Sequence, residues 1–165
     1  MKLTAKFKGY SGVDYIFEYS DADSFDNLDE IKCTQVYAVC FCNGEIVIVH
    51  NGKKDTWGLV GGTIEKGESF EETLKREIQE ESNMEVLSFL PVGYQKVIDT
   101  RDDSFVYQLR YVCIARPYGE FVSDPAGSIS EIKLIDPKDY KKYFDWGEIG
   151  ERIIKRAEEL LVKLN

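Results

Sequence analysis

The chain has 165 residues, 43% of them hydrophobic and 31% charged, with 30 Asp and Glu against 21 Lys and Arg and a net charge of −9. That length suits one domain with a real core, and the composition is neither that of a disordered chain nor that of a membrane-embedded one. So acidic a balance excludes a sequence-independent nucleic-acid binder, which needs Lys and Arg to displace counterions, and it would repel an anionic substrate unless a cation bridged the two.

The four cysteines, Cys33, Cys40, Cys42 and Cys113, form no C-x-x-C pair, and the single His50 is distant in sequence from most of them, so zinc is not expected. They read instead as small hydrophobes in a reduced interior. Met1 to Lys6 runs straight into polar residues without an apolar signal core, and the longest apolar run, Val36 to Cys42, is far too short to cross a bilayer. The expected setting is the cytoplasm, with no membrane partner.

In chain order, residues 1–20 alternate as a hairpin around Gly9-Tyr10-Ser11-Gly12, and Asp21 to Glu30 reads as an acidic loop. Strands Gln35–Cys42 and Glu45–His50 flank Asn43-Gly44, a dipeptide suited to the positive φ angles of a type I′ turn. A glycine-punctuated stretch, Trp57 to Gly67, leads into a helix over Phe70–Ser82. Strands are expected at Val86–Val97, Phe105–Ala115 and Ile129–Ile135. A last helix over 146–164, capped by Asp145, carries Ile149, Ile153, Ile154, Ala157, Leu160 and Leu161 at helical spacing, which reads as a packing face. Strands mixed with two amphipathic helices and short connections make residues 1–165 one α/β (α+β) domain.

The Phe70–Ser82 helix opens well and ends oddly. Ser69 and Glu72 form a capping box, and Phe70, Leu74 and Ile78 give it a buried stripe. Glu77, Glu80 and Glu81 then crowd the last turn at i, i+3 and i+4, where neighbouring like charges cost about 0.2–0.5 kcal/mol per pair and the macrodipole disfavours carboxylates. Glu77 and Glu81 also continue the apolar face, so they aim at the body of the protein or a cleft. Either this is a solvated acidic face, or the three carboxylates converge on a hard divalent cation such as Mg²⁺ or Mn²⁺. Gly58, Gly61, Gly62 and Gly67 let the preceding backbone approach a ligand closely, and Arg76 can hold a carboxylate bidentately, with Glu68 or a ligand glutamate as partner. The stretch is neither a Walker loop nor G-x-G-x-x-G. Asp99 to Asp103 fails as a calcium loop, with Arg101, Ser104 and Arg110 at the wrong positions.

Read together, Gly62, Glu68, Arg76-Glu77-Ile78, Glu80-Glu81 and Met84 resemble the Nudix hydrolase signature, G-x5-E-x7-R-E-U-x-E-E-x-G-U, with Trp57 to Gly62 as its lead-in and Val60 where the family commonly has Pro. The box spans Gly62 to Met84 with one departure, Asn83 for Gly. That position follows the helix and needs a left-handed conformation, which Asn tolerates better than other side chains, with Met84 closing the cap.

The resemblance implies an α/β/α sandwich around a mixed sheet, with the box as a loop–helix–loop. It also implies Mg²⁺-dependent hydrolysis (Mn²⁺ substituting) of a nucleoside diphosphate linked to another moiety. Glu77, Glu81 and Glu80 with the Gly61 carbonyl would hold the metal, Glu80 would assist or act as base, and Glu68, Gly62 and Arg76 would support them. A base from beyond the box is also in keeping with the family: Glu131 is the first choice, Glu120 and Asp124 its rivals, and each reads equally well as a plain surface carboxylate. Tyr94, Tyr107, Tyr111 and Tyr118 span the segment that would line a base pocket, mostly as packing residues. Residues 99–101 are Asp-Thr-Arg, so the Pro or Tyr of the ADP-ribose and diadenosine-polyphosphate subgroups is missing. The general layout resembles the small Nudix enzymes that act on nucleoside triphosphates, so the resemblance implies a nucleoside triphosphate, ordinary or oxidised, cleaved to monophosphate and pyrophosphate. The alternatives are a nucleotide-sugar or dinucleotide pyrophosphatase, or a nucleotide-sensing module without turnover. The resemblance also admits a homodimer.

Overall fold

The computed structural model describes residues 2–122 and 127–165. Eight strands form one curled sheet: β1 Lys2–Lys8, β2 Asp14–Asp21, β3 Cys33–Cys42, β4 Glu45–Asn51, β5 Thr56–Thr63, β6 Met84–Asp99, β7 Phe105–Pro117 and β8 Ile129–Ile135. Their order is β1-β2-β6-β7-β3-β5-β4-β8, with a further short pairing of β3 and β4. β3 runs parallel to β7 and the other recorded pairings are antiparallel, so the sheet is mixed. A parallel neighbour needs a long crossover, and here the chain uses it to build β4, β5, the box helix and β6.

Two helices cover the two faces, giving the expected α/β/α arrangement. Helix α1, Phe70–Ser82, buries Leu74 and Ile78 against Val36, Ala38, Val47, Val49, Val60 and Leu109. Helix α2, Gly147–Leu161, buries Ile149, Ile153, Ile154, Ala157 and Leu160 against Val39, Phe41, Ile46, Ile48, Leu59 and Val112. Period-two alternation along β3, β4 and β7 divides the side chains between these two cores. Each fully buried aliphatic side chain contributes about 1.5–3 kcal/mol. All four cysteines are buried and unpaired, as their apolar setting implies. Neither helix is long and apolar enough to cross a membrane.

Two sequence-based expectations need correcting, the Trp57–Gly67 stretch and the Asp145 cap. The Trp57–Gly67 stretch is not all loop, because its first half is β5, with Trp57 and Leu59 facing α2 and Val60 facing α1. Alternation there is real but masked by glycines. The acidic Asp21–Glu30 segment is mostly the expected loop and leads into a short 3-10 turn at Glu30–Lys32, capped by Asp29. Asp145 does not cap α2: its Oδ1 accepts the Gly147 amide at 2.9 Å, an Asx turn one residue too early, and Trp146 holds the cap position without a side-chain bond. Asn43-Gly44 has the anticipated positive φ at both residues, 52° and 82°.

His50 ties the β4–β8 edge together. Its Nδ1 is 2.7 Å from Ser130 Oγ and its Nε2 is 2.9 Å from Asp55 Oδ1. These contacts bridge β4 to β8 and to the turn before β5, fixing the edge that supports the box from the far side.

Candidate active site

The site is built where the end of β5 meets the last two turns of α1. The helix begins as its sequence dictates: Ser69 Oγ accepts the Glu72 amide at 3.1 Å, and Glu72 Oε2 accepts the Ser69 amide at 3.0 Å. It ends at Asn83 in the left-handed conformation, φ 55° and ψ 35°, with Met84 buried behind it. Asn83 adds something glycine cannot supply, for its Nδ2 donates to the Glu120 carbonyl at 2.6 Å. The Tyr118 amide donates back to the Asn83 carbonyl at 2.8 Å. The departure from the box thus keeps the backbone turn and pins the segment after β7 to the end of α1.

Gly61 and Gly62 are dictated by space. A Cβ on Gly61 would lie 2.1 Å from the Val36 carbonyl oxygen, and one on Gly62 would lie 2.5 Å from the Glu77 carboxyl carbon. A side chain at Gly61 would collide with β3 at Val36 and Tyr37, and one at Gly62 would push Glu77 and α1 away from β5. With none, the Gly61 amide reaches Glu81 Oε1 at 2.9 Å and Glu77 sits directly over Gly62.

Arg76 organises the charges. Its Nε and Nη2 fork onto Glu68 at 2.6 and 2.8 Å, and Nη2 also donates to the Thr63 carbonyl at 2.9 Å. Its Nη1 donates to Glu77 Oε1 at 2.9 Å and to Glu80 Oε2 at 3.2 Å. The bidentate fork, helped by the Glu65 amide and the Thr73 hydroxyl, holds the Glu68 carboxyl down at about 2, so Glu68 stays ionised through the physiological range. The same partners, Glu68 first and then Glu77, raise the Arg76 guanidinium above its ordinary value despite partial burial. The expected support pair of Glu68 and Arg76 therefore lies in direct contact. Thr73 was missed, although a fully buried polar residue on the helix's inner face was a signal to follow.

The carboxylates differ in exposure. Glu77 is 13% and Glu80 37% exposed at the side chain, so of these two Glu80 meets water more. Among the described residues no three His, Cys, Asp or Glu side chains stand together as a finished metal-ligand set. The reason lies in the contacts: the Arg76 guanidinium bridges Glu77 and Glu80, while Glu81 is turned to the Gly61 amide. The donor chemistry nonetheless fits a hard divalent cation, with carboxylate oxygens on adjacent helical turns beside a side-chain-free strand end.

Glu131 is not brought to this cluster. It pairs with His50 across β4–β8, and its neighbour Ile132 packs on the core beneath α1, so alternation puts Glu131 on the opposite sheet face. Glu120 is brought near, its carbonyl held by Asn83 at the end of α1. Asp124 lies outside the described residues. Of the four tyrosines, Tyr94, Tyr107 and Tyr111 pack in or against the core beneath α1, and Tyr118 is 66% exposed.

A family model, the NUDIX domain, matches residues 33–157. Among solved structures, a mutant of the Bacillus subtilis pyrophosphohydrolase BsRppH is similar over 94% of this chain and 96% of its own, at 15% identity and a TM-score of 0.71. A MutT NUDIX hydrolase from Burkholderia pseudomallei is similar over 74% and 95%, at 17% identity and a TM-score of 0.58. The NUDIX domain of Shewanella oneidensis NrtR, complexed with ADP ribose, is similar over 86% and 99%, at 22% identity and a TM-score of 0.53. At these identities the structures share the fold. No curated protein sequence matches the chain. The matched model covers β3 through most of α2, including the whole glycine–carboxylate site, and the chain belongs to the NUDIX domain family.

Proposed function

We propose that this chain is a Mg²⁺-dependent pyrophosphohydrolase that converts a nucleoside triphosphate, ordinary or oxidised, to the monophosphate and pyrophosphate, with Mn²⁺ able to replace Mg²⁺. The observation that carries the reading is the placement of Glu77 and Glu81 against Gly62 and Gly61, where no side chain intervenes. Glu77, Glu80 and Glu81, with the Gly61 carbonyl, would hold the metal. When bound, it supplies charge neutralisation of the pyrophosphate and a water of lowered pKa. Glu80, more exposed than Glu77, would take the proton of the attacking water. Arg76 yields Glu77 and Glu80 while Glu68 keeps its fork in place, so the helix stays aligned as the carboxylates regroup. The position of Glu131 on the opposite face favours Glu80 as base, with Glu120 as the alternative from the segment after β7.

The test is a substrate panel of ordinary and oxidised nucleoside triphosphates, diphosphates, ADP-ribose and nucleotide-sugars, with Mg²⁺ or with EDTA, following nucleotide and phosphate products together. Monophosphate plus pyrophosphate from a triphosphate, abolished by EDTA, is the expected result. Preferential cleavage of ADP-ribose or a nucleotide-sugar would replace the substrate assignment. Nucleotide binding with no turnover of any compound would replace catalysis with sensing.

A further inference from the structure

Helix α1 ends on a residue that does more than turn the chain. Asn83 uses three polar groups at once: its amide donates to the Gln79 carbonyl at 2.9 Å, its carbonyl accepts the Tyr118 amide at 2.8 Å, and its Nδ2 donates to the Glu120 carbonyl at 2.6 Å. Gly119, between the last two partners, suits this close approach, since a Cβ there would lie 3.2 Å from Asn83 Nδ2. Phe121 then packs against the core beneath α1. Residues 118–121 are thus laid across the end of α1, on the side of the sheet that carries Glu77.

The Asn83 side chain is not needed for the turn itself. Its φ of 55° lies in the left-handed region, which glycine enters without steric cost and which the box signature fills with glycine. Asparagine there accepts a backbone cost and gains a hydrogen bond to a segment that lies beyond β7, which ends at Pro117. What that segment brings to the site is Glu120. Asn83 follows Glu80 by three residues and Glu81 by two, and helical neighbours three apart have Cβ atoms about 5–6 Å from one another. A backbone pinned to Asn83 therefore lies within side-chain reach of Glu80. Glu68, Glu77 and Glu80 are all held by Arg76. Glu120 is exposed, and among the described residues its carboxylate is in no ion pair, so a fixed backbone here carries a carboxylate free to bond water.

We propose that Asn83 is a positioning residue: by fixing the Glu120 backbone it holds the Glu120 carboxylate where it accepts a hydrogen bond from the attacking water and orients that water for Glu80. This rests on the pyrophosphohydrolase reading above and adds two residues to it. Glu120 touches the reacting water, and Asn83 acts only through Glu120. In this role Glu120 assists Glu80 and does not displace it as base.

Three variants and two readouts test this. Asn83→Gly removes the side chain and keeps the left-handed turn. Asn83→Asp keeps the shape and sets an acceptor against the Glu120 carbonyl, and Glu120→Ala removes the exposed carboxylate. With the best triphosphate at saturating Mg²⁺, each is expected to lower kcat at least tenfold with KM within about threefold, the signature of a misplaced reacting group. Asn83→Gly combined with Glu120→Ala is expected to match Glu120→Ala alone within twofold, because both act through one carboxylate. In metal-free protein, the Tyr118 amide is expected to exchange hydrogen at least tenfold faster in Asn83→Gly than in wild type, and at the wild-type rate in Glu120→Ala. Asn83→Gly restores the box residue and keeps the test intact should Asn83→Asp fail to fold. A kcat within twofold of wild type in Glu120→Ala or Asn83→Gly, losses that multiply in the double variant, or Tyr118 exchange indifferent to the Asn83 side chain overturns the proposal. If wild type turns over no nucleotide, the hydrolase reading falls; Asn83-dependent exchange would then sustain the clamp alone, and Asn83-independent exchange would remove that as well.

Discussion

The two helices flank one sheet and are both amphipathic, yet their charges are used in opposite ways. On α2 the charged residues fasten the helix: Arg152 forks onto Asp21, and Arg156 reaches the Val92 carbonyl at 2.7 Å and Asp23. On α1 three glutamates crowd the end of the helix where the dipole opposes them, sharing one arginine and one backbone amide. The α2 arrangement is what folding alone selects. The α1 arrangement costs stability, as expected if these residues are kept for the chemistry proposed above.

The comparison sharpens into expected outcomes of decreasing size. Glu77→Gln should lower kcat about 10²–10³-fold, equivalent to roughly 3–4 kcal/mol of lost transition-state stabilisation, while changing stability by less than about 1 kcal/mol. Turnover and chemical denaturation measured on one preparation would check both halves. Ile153→Ala on α2 should do the reverse. Removing a side chain that is 1% exposed should cost about 2–5 kcal/mol in urea denaturation, with near-wild-type kcat in the fraction that remains folded.

Glu68→Gln should be milder and pH-dependent. The folded-state pKa of Glu68, at about 2, lies below its ordinary value near 4.5, so its ion pair contributes fully above the higher value and is lost as pH falls through the lower one. Wild type should exceed the variant by about 1–2 kcal/mol at pH 7, a figure reduced for solvent screening, and the gap should close between pH 4.5 and pH 2. Melting curves over that range would read it directly. A gap that persists at pH 2 would assign the loss to packing instead. The smallest effect is expected for Asn83→Gly: relief of the left-handed backbone offsets the lost bond to Glu120, leaving stability within about 0.5 kcal/mol in thermal melts.

Much of this contrast is legible in the residues alone. The capping box, the buried stripe of α1, the left-handed Asn83 and the Glu68–Arg76 partnership all follow from local spacing, because each is set within a turn or two of helix. β5 was harder, since Gly58, Gly61 and Gly62 hide its alternation, and Asp145 sits at a cap-like position whose bond goes one residue early. What local pattern does not carry is which sheet face a distant residue occupies. Glu131 follows the box at a suggestive place in the chain, but the pairing of Glu131 with His50 turns it away from α1. Arg110 is an ordinary strand residue in sequence, and only the place of β7 between β3 and β6 reveals it as a buried charge.

The central claim is that the α1 carboxylates hold a catalytic divalent cation, and its most direct test is a Mg²⁺ titration of nucleoside-triphosphate turnover in wild type beside Glu81→Gln. The account predicts saturable activation in wild type, reversal by EDTA, and at least a hundredfold loss in Glu81→Gln at every Mg²⁺ concentration with the melting temperature preserved. Wild-type turnover by Glu81→Gln, or turnover that EDTA leaves untouched, would contradict it.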